Sequence, residues 1–226
     1  MLQPIAHIRS DYGGKFGIPR QSGLAPDASA TIGFEPEYSS EDAVRGLEQY
    51  SHLWLIWGFS ENAGAEWAPT VRPPRMGGNQ RLGVFATRSP FRPNKLGLSA
   101  VKLMGINFDK KHGPQITVTG ADLMDGSPIY DIKPYIPYTD CIEGACAGFA
   151  ADPADNKLDV VITAQQLSAL PQDKQQALRQ SLALDPRPAY HEDPHRVYGM
   201  LFAGYDVRFS VAGRAVTVCE IERLER

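Results

Sequence analysis

The sequence predicts a mainly β protein, a barrel or a sandwich, with a small α+β unit appended. Three observations predict it. Short apolar runs of strand length recur through the first 140 or so residues, separated by turns that draw on 21 glycines and 18 prolines. The alternation of strand and long helix that marks a doubly wound sheet is missing. Strong helix-forming sequence is concentrated after residue 164 and is followed by a run of further strands. The chain has 226 residues, 42% hydrophobic and 22% charged, which suits a globular protein with a true core.

Residues 2–9 alternate enough to form a first strand, and a loop with Gly13, Gly14, Gly17, Pro19, Gly23 and Pro26 follows. Residues 41–50 predict a short helix capped by Ser39 or Ser40, with Asp42 in its first turn. Residues 53–59 form an apolar, aromatic run suited to a buried strand, which places Trp54, Trp57 and Phe59 in the core and His52 as a packed residue. Pro69, Pro73, Pro74 and a Gly-Gly pair make the next stretch a loop. Residues 82–87, 98–104, 115–119 and 129–132 predict further short strands, the last closed by Pro134 and Pro137.

Small residues from 143 to 156 read as a linker and divide the chain into domains 1–145 and 155–226. Beyond it, residues 157–163 predict a strand. Pro171 interrupts the helical stretch 164–184, so its main helix starts near Gln172. Residues 197–203, 205–211 and 215–222 predict a three-stranded meander with turns at Gly204 and Ala212-Gly213.

The net charge of −3 is unevenly spread. Between Glu66 and Asp109 there is no acidic residue, while Arg72, Arg75, Arg81, Arg88, Arg92, Lys95 and Lys102 supply seven positive charges. The rest of the chain holds 16 basic against 26 acidic residues. That is the footprint of a phosphate- or carboxylate-bearing partner, although a solvated or ion-paired basic face has the same pattern. The start lacks a basic segment followed by a long apolar run, and no stretch approaches the roughly 18 apolar residues of a membrane span. Three cysteines form no disulfide framework. Cys141 and Cys146 lack a second pair, so no zinc or other metal is expected. These absences point to the cytoplasm.

The segment Phe85-Ala86-Thr87-Arg88-Ser89-Pro90-Phe91-Arg92-Pro93-Asn94-Lys95-Leu96-Gly97-Leu98-Ser99 joins two expected strands. Pro90 and Pro93 stiffen it, and Gly97 permits close backbone approach. Cations on a pre-ordered loop grip an anion at low entropic cost. A rigid crossover loop with surface charges fits the same residues.

This segment resembles the signature of the TsaA-like, or TrmO, family of tRNA methyltransferases. So do Lys15-Phe16-Gly17-Ile18-Pro19-Arg20-Gln21, Asp42-Ala43-Val44-Arg45-Gly46-Leu47-Glu48 and Ser51-His52-Leu53-Trp54. The match continues with Pro69-Thr70-Val71-Arg72-Pro73-Pro74-Arg75, Asp122-Leu123-Met124-Asp125-Gly126-Ser127-Pro128, Asp131-Ile132-Lys133-Pro134-Tyr135 and Asp185-Pro186-Arg187-Pro188-Ala189-Tyr190. It covers nearly the whole chain, in order. The resemblance implies a homodimer whose catalytic domain is a single-sheeted β-barrel and not a Rossmann fold. It also implies methylation of N6 of threonylcarbamoyl-adenosine at position 37 of tRNA, beside the anticodon, with S-adenosylmethionine as cofactor. The sequence accordingly carries no G-x-G-x-x-G after its first strand.

By the resemblance, the cofactor site draws on Pro19, Arg20 and Gln21, on Arg88 and Leu98, and on Asp122, Leu123, Met124 and Asp125. It extends to Glu61, where this chain has Ser60-Glu61 in place of the family's His-Gln pair. Arginine suits the cofactor carboxylate, and carboxylate or carbonyl oxygens suit its ribose and ammonium groups. Arg72, Arg75, Arg81, Arg92 and Lys95 are the candidates for phosphates of the tRNA anticodon stem-loop. No catalytic base is assigned; Asp125 and Tyr135 are candidates, with turn and packing roles as the alternatives. Two other readings stay open: a non-catalytic RNA-binding β module, and a methyltransferase with a different acceptor.

Overall fold

The computed structural model describes residues 2–62, 64–73, 80–150, 157–187 and 193–224. Twelve strands are formed among them. The first is β1 (Ala6–Arg9), followed by β2 (Ser29–Phe34) and β3 (His52–Gly58). A small hairpin of β4 (Thr70–Val71) and β5 (Leu82–Gly83) comes next. Then come β6 (Leu96–Asp109), β7 (Gly113–Thr119) and β8 (Pro128–Pro134). After a single turn of helix, α1 (Pro137–Asp140), the second unit holds β9 (Asp159–Val161), α2 (Ala164–Leu167) and α3 (Gln172–Ala183). It ends with β10 (Tyr198–Phe202), β11 (Tyr205–Ala212) and β12 (Ala215–Arg223).

Six strands close into one barrel in the order β1-β2-β7-β6-β3-β8, with every neighbouring pair antiparallel. The expected single-sheeted barrel is therefore present. Alternation fills it: Ile116 and Val118 of β7, Leu53, Leu55 and Trp57 of β3, and Ile32 of β2 point inward and are buried. Bulges at Met104 in β6 and at Tyr130 in β8, opposite Ile56/Trp57, add the local twist that closure needs. Among the described residues, no helix is long and apolar enough to cross a membrane.

The second unit is a four-stranded sheet, β10-β11-β12-β9, with β9 parallel to β12. Ala203 and Gly204, both at positive φ, turn β10 into β11. Helix α3 begins directly after Pro171 and buries Ala177, Leu178, Ser181 and Leu182. The helix start and the meander agree with the sequence expectation. The parallel partner β9 spans only Asp159–Val161 of the expected 157–163.

The two units share a core. The loop leaving β1 puts Tyr12, Ala25 and Ala28 into the hydrophobic cluster of the second unit. Tyr12 bridges to Phe202, and the backbone bonds Gly13 N–Leu201 O and Ala203 N–Asp11 O extend that pairing. Lys174 of α3 reaches back to Asp11 at 2.8 Å and Ser29 at 3.1 Å.

Several local expectations are corrected. Residues 41–50 are not one helix but two 3-10 turns, Glu41–Val44 and Leu47–Gln49, because Gly46 sits at φ +85 between them. Ser40 does cap the first turn. The strand expected at 82–87 stops at Gly83 and becomes the 3-10 turn Val84–Ala86, whose carbonyl at Val84 is held by Arg92. The first strand forms only from Ala6, where pairing with β2 begins. Strand β2 lies where a loop was expected. His52 is exposed, stacked edge-on against Tyr135 rather than packed inside.

Candidate functional site

At the end of the barrel where β3 meets the start of β6, three side chains from distant segments form one hydrogen-bonded line. The Trp57 indole N–H donates to Ser99 Oγ at 2.9 Å, and Ser99 Oγ donates to Asp122 Oδ1 at 2.5 Å. Ser99 and Trp57 are buried, while Asp122 lies at the edge of the core. Burial raises the Asp122 carboxyl above the usual carboxylate range; the Ser99 bond, the Arg88 charge and the Ser22 backbone N–H only partly offset it. Gly97 is required here: a Cβ on it would fall 2.3 Å from the Trp57 indole.

Arg88 and Gln21 close the next edge. Arg88 Nη1 donates to Gln21 Oε1, and Gln21 Nε2 donates to the Arg20 carbonyl at 2.5 Å. Pro19 is buried and anchors the loop, while Arg20 is exposed. Gly17, at φ +87, packs where a Cβ would meet the Met200 side chain at 2.3 Å, so the second unit sets where this loop runs. Glu61 pairs with Lys15 at 3.6 Å and so borders the same loop.

Pro19, Arg20, Gln21, Arg88 and Asp122 are thus brought together, with Glu61 flanking them. Leu98 alternates with Gly97 and Ser99, so its side chain stands on the outer face of β6, where it is 55% exposed. Leu123 is fully buried in the barrel core, so only its backbone can meet a ligand, and its carbonyl already accepts from Ser10 Oγ at 2.9 Å. The Met124 carbonyl accepts the Ser127 N–H of the turn. Asp125 accepts the Ser10 N–H at 2.9 Å and donates its own N–H to Tyr12 O, which is a turn-closing role. Tyr135 stacks on His52 and Trp54 at the opposite end of β3 from Trp57, about 16 Å away by strand rise. It therefore lies far from the Arg88–Asp122 cluster.

The basic segment, which includes Arg88, carries the other candidate cations. Arg72 and Arg81 are exposed next to the small hairpin, where Arg81 donates to Thr70 Oγ1 at 3.1 Å. Arg75 lies outside the described residues. Arg92 is half-buried and braces the loop, donating to the Val84 and Thr87 carbonyls at 3.1 and 2.6 Å beneath the Phe85 ring. Lys95 holds a left-handed backbone at φ +52, and its carbonyl accepts the Phe59 N–H. Phe85, Trp67 and Phe91 are 74%, 52% and 41% exposed, and the Ala68 N–H beside Trp67 donates to the Phe91 carbonyl.

Sequence reading missed Ser99 and Trp57 as part of the site, and the reach of Asp185. Arg187 clasps Asp185 through two bonds of 2.8 and 2.7 Å. Burial would raise that carboxyl, but Arg187 and the charge of Arg20 outweigh it and hold it below its usual range. The Asp185–Arg187 segment therefore neighbours the Arg20 loop. The available signal for Ser99 was a small polar residue at an inward strand position between Gly97 and Val101. Among the described residues, no group of three metal-binding side chains occurs, and all three cysteines are free and exposed.

Residues 7–141 match the family model of the tRNA-methyltransferase O N-terminal domain, and residues 155–224 match that of the TrmO C-terminal domain. The chain belongs to the TrmO family. It is 40% identical to the tRNA (adenine(37)-N6)-methyltransferase of Escherichia coli K12, over 98% of this chain and 97% of that protein. It is also 40% identical to a Pseudomonas aeruginosa protein described as "Putative S-adenosylmethionine-dependent methyltransferase RcsF", over 92% and 91% of the two chains. The crystal structure of TrmO from Pseudomonas aeruginosa superposes with a TM-score of 0.80 at 34% identity, covering 98% of this chain and 97% of that one. TrmO-family membership thus spans both units of the fold.

Proposed function

We propose that this chain is an S-adenosylmethionine-dependent tRNA methyltransferase acting on N6 of threonylcarbamoyl-adenosine at position 37. The observation that carries the reading is the convergence of Arg88, Gln21 and Asp122 at the barrel end, in a chain with a full-length relative named for adenine-37 N6 methylation. The donor set fits the cofactor: a guanidinium for its carboxylate, an amide and backbone carbonyls for polar groups, and a partly buried carboxylate for its ribose hydroxyls or ammonium. S-adenosylmethionine supplies an electrophilic methyl group when bound. The protein's own work is then to bind and align the acceptor, which can account for much of the rate. The acceptor N6–H, conjugated with a carbonyl and a purine, is more acidic than an ordinary amine, so the site works without a strong base.

Arg72, Arg81 and Lys95 are assigned to tRNA phosphates, with Arg75 beside them in sequence, and exposed Phe85, Phe91 and Trp67 offer faces on which loop bases can stack. Residues 1–145 are the catalytic domain. Residues 155–226 hold the anticodon stem-loop and fix the Arg20 loop. The exposed apolar Leu98 and Met104 on β6 support a homodimer through that face. A tRNA substrate supports a cytoplasmic location.

The deciding experiment is nucleoside analysis of tRNA from cells lacking the gene, with and without re-expression of this chain. The methylated nucleoside should vanish and return. An unchanged ratio of methylated to unmethylated threonylcarbamoyl-adenosine sinks the acceptor assignment. Absence of cofactor binding by calorimetry at millimolar concentration sinks the enzyme reading and leaves an RNA-binding module.

A further inference from the structure

We infer that Ser99, oriented by the Trp57 indole, is a positioning residue that fixes Asp122 for the polar groups of the cofactor. The inference rests on the proposed cofactor role of Asp122 and goes beyond it, because Ser99 and Trp57 are buried and act through that carboxylate.

The chemistry makes the line directional. An indole N–H can only donate, so the 2.9 Å bond from Trp57 Nε1 occupies a lone pair of Ser99 Oγ. The single Ser99 proton is then free to go to Asp122 Oδ1, at 2.5 Å. A carboxylate can only accept, so no alternative orientation of this chain satisfies all three groups. Asp122 is thereby pinned on its Oδ1 side, with the Ser22 backbone N–H and the Arg88 charge as its other local partners.

Stability alone does not explain these residues. Ser99 is 1% exposed and pairs across the sheet with the fully buried Leu55, a position where an apolar side chain would pack without any hydroxyl to satisfy. A carboxyl held at the core edge, raised by burial, adds a further cost. Gly97 serves the same arrangement, since any side chain there would displace the indole that orients Ser99. The signature stretch Lys95-Leu96-Gly97-Leu98-Ser99 therefore carries a support for Asp122 on its inward positions 97 and 99.

The test compares Ser99→Ala, Ser99→Thr, Asp122→Asn and the Ser99→Ala/Asp122→Asn double variant in the full-length protein. Calorimetry gives cofactor affinity, steady-state kinetics give KM for cofactor and for tRNA, and thermal melts report folding. Ser99→Ala should weaken cofactor binding about tenfold, the size of one lost charge-assisted hydrogen bond, and raise KM for cofactor but not for tRNA. Ser99→Thr, which keeps the hydroxyl, should restore most of the affinity. In the Asp122→Asn background, Ser99→Ala should add little, because its effect runs through that carboxylate. Trp57→Phe should move affinity in the same direction by a smaller factor. If Ser99→Ala binds normally while Asp122→Asn binds weakly, or if the two losses add fully, the positioning role is overturned and the cofactor role of Asp122 stands. If Asp122→Asn itself binds normally, both fall.

Discussion

The Tyr12 hydroxyl lies 3.1 Å from Ser181 Oγ, tying the loop that leaves β1 to the last turn of α3 inside the second core. Burial pushes the Tyr12 phenol up to about 12 from its usual 10. The folded state therefore keeps the proton after the unfolded chain has lost it. This contribution to stability is intact below pH 10 and is lost as the pH rises toward 12, amounting to about 2–3 kcal/mol across that window. Tyr12→Phe should abolish this part of the alkaline loss while costing about 1 kcal/mol at neutral pH. Urea unfolding at a series of pH values measures both.

Asp11 and Lys174 form the second tie, at 2.8 Å and largely shielded from water. Lys174→Met should destabilise the protein by about 2–3 kcal/mol, because it strands a buried carboxylate. Burial holds the Asp11 carboxyl above its usual range even with Lys174 present. Without the lysine that shift should grow, so lowering the pH should recover part of the lost stability. A variant whose stability ignores acid would contradict this account.

Gly97→Ala should cost about 1–3 kcal/mol by overpacking, since its Cβ would fall 2.3 Å from the Trp57 indole. It should also weaken cofactor binding without touching the cofactor. Thermal melts and calorimetry separate the two effects.

Arg81→Ala and Arg92→Ala should behave differently. Arg81 is exposed, so its loss should weaken tRNA binding at all sequences and reduce the slope of log affinity against log salt by about 1. Arg92 holds two carbonyls of its own loop, so its loss should lower thermal stability as well. Filter binding across a salt series, with melts in parallel, reads both.

Leu98→Glu places a charge on the outer face of β6, where the side chain is 55% exposed. It should leave the monomer fold intact and shift a homodimer toward monomer in light scattering. An unchanged mass would remove this face as the dimer contact.

The sequence by itself determined the local elements and the kind of fold. Pro171 set the start of α3, the paired turns after Phe202 and Ala212 set the meander, and the missing strand–helix alternation excluded a doubly wound sheet. These are short-range effects of proline geometry and side-chain periodicity, which any window of the chain contains. The family signature likewise named Arg20, Gln21, Arg88 and Asp122, which the fold brings together. Strand β2 escaped notice because Ser29–Phe34 is built from small residues whose alternation of Ala30, Ile32 and Phe34 is weak without its partners β1 and β7. Only the tertiary structure decided that the glycine-rich loop after β1 belongs to the core of the second unit. It alone joined Trp57 to Ser99 across 42 residues and Ser99 to Asp122 across 23. Barrel closure and the burial of polar groups make those pairings, and both are settled by long-range packing that no local pattern records.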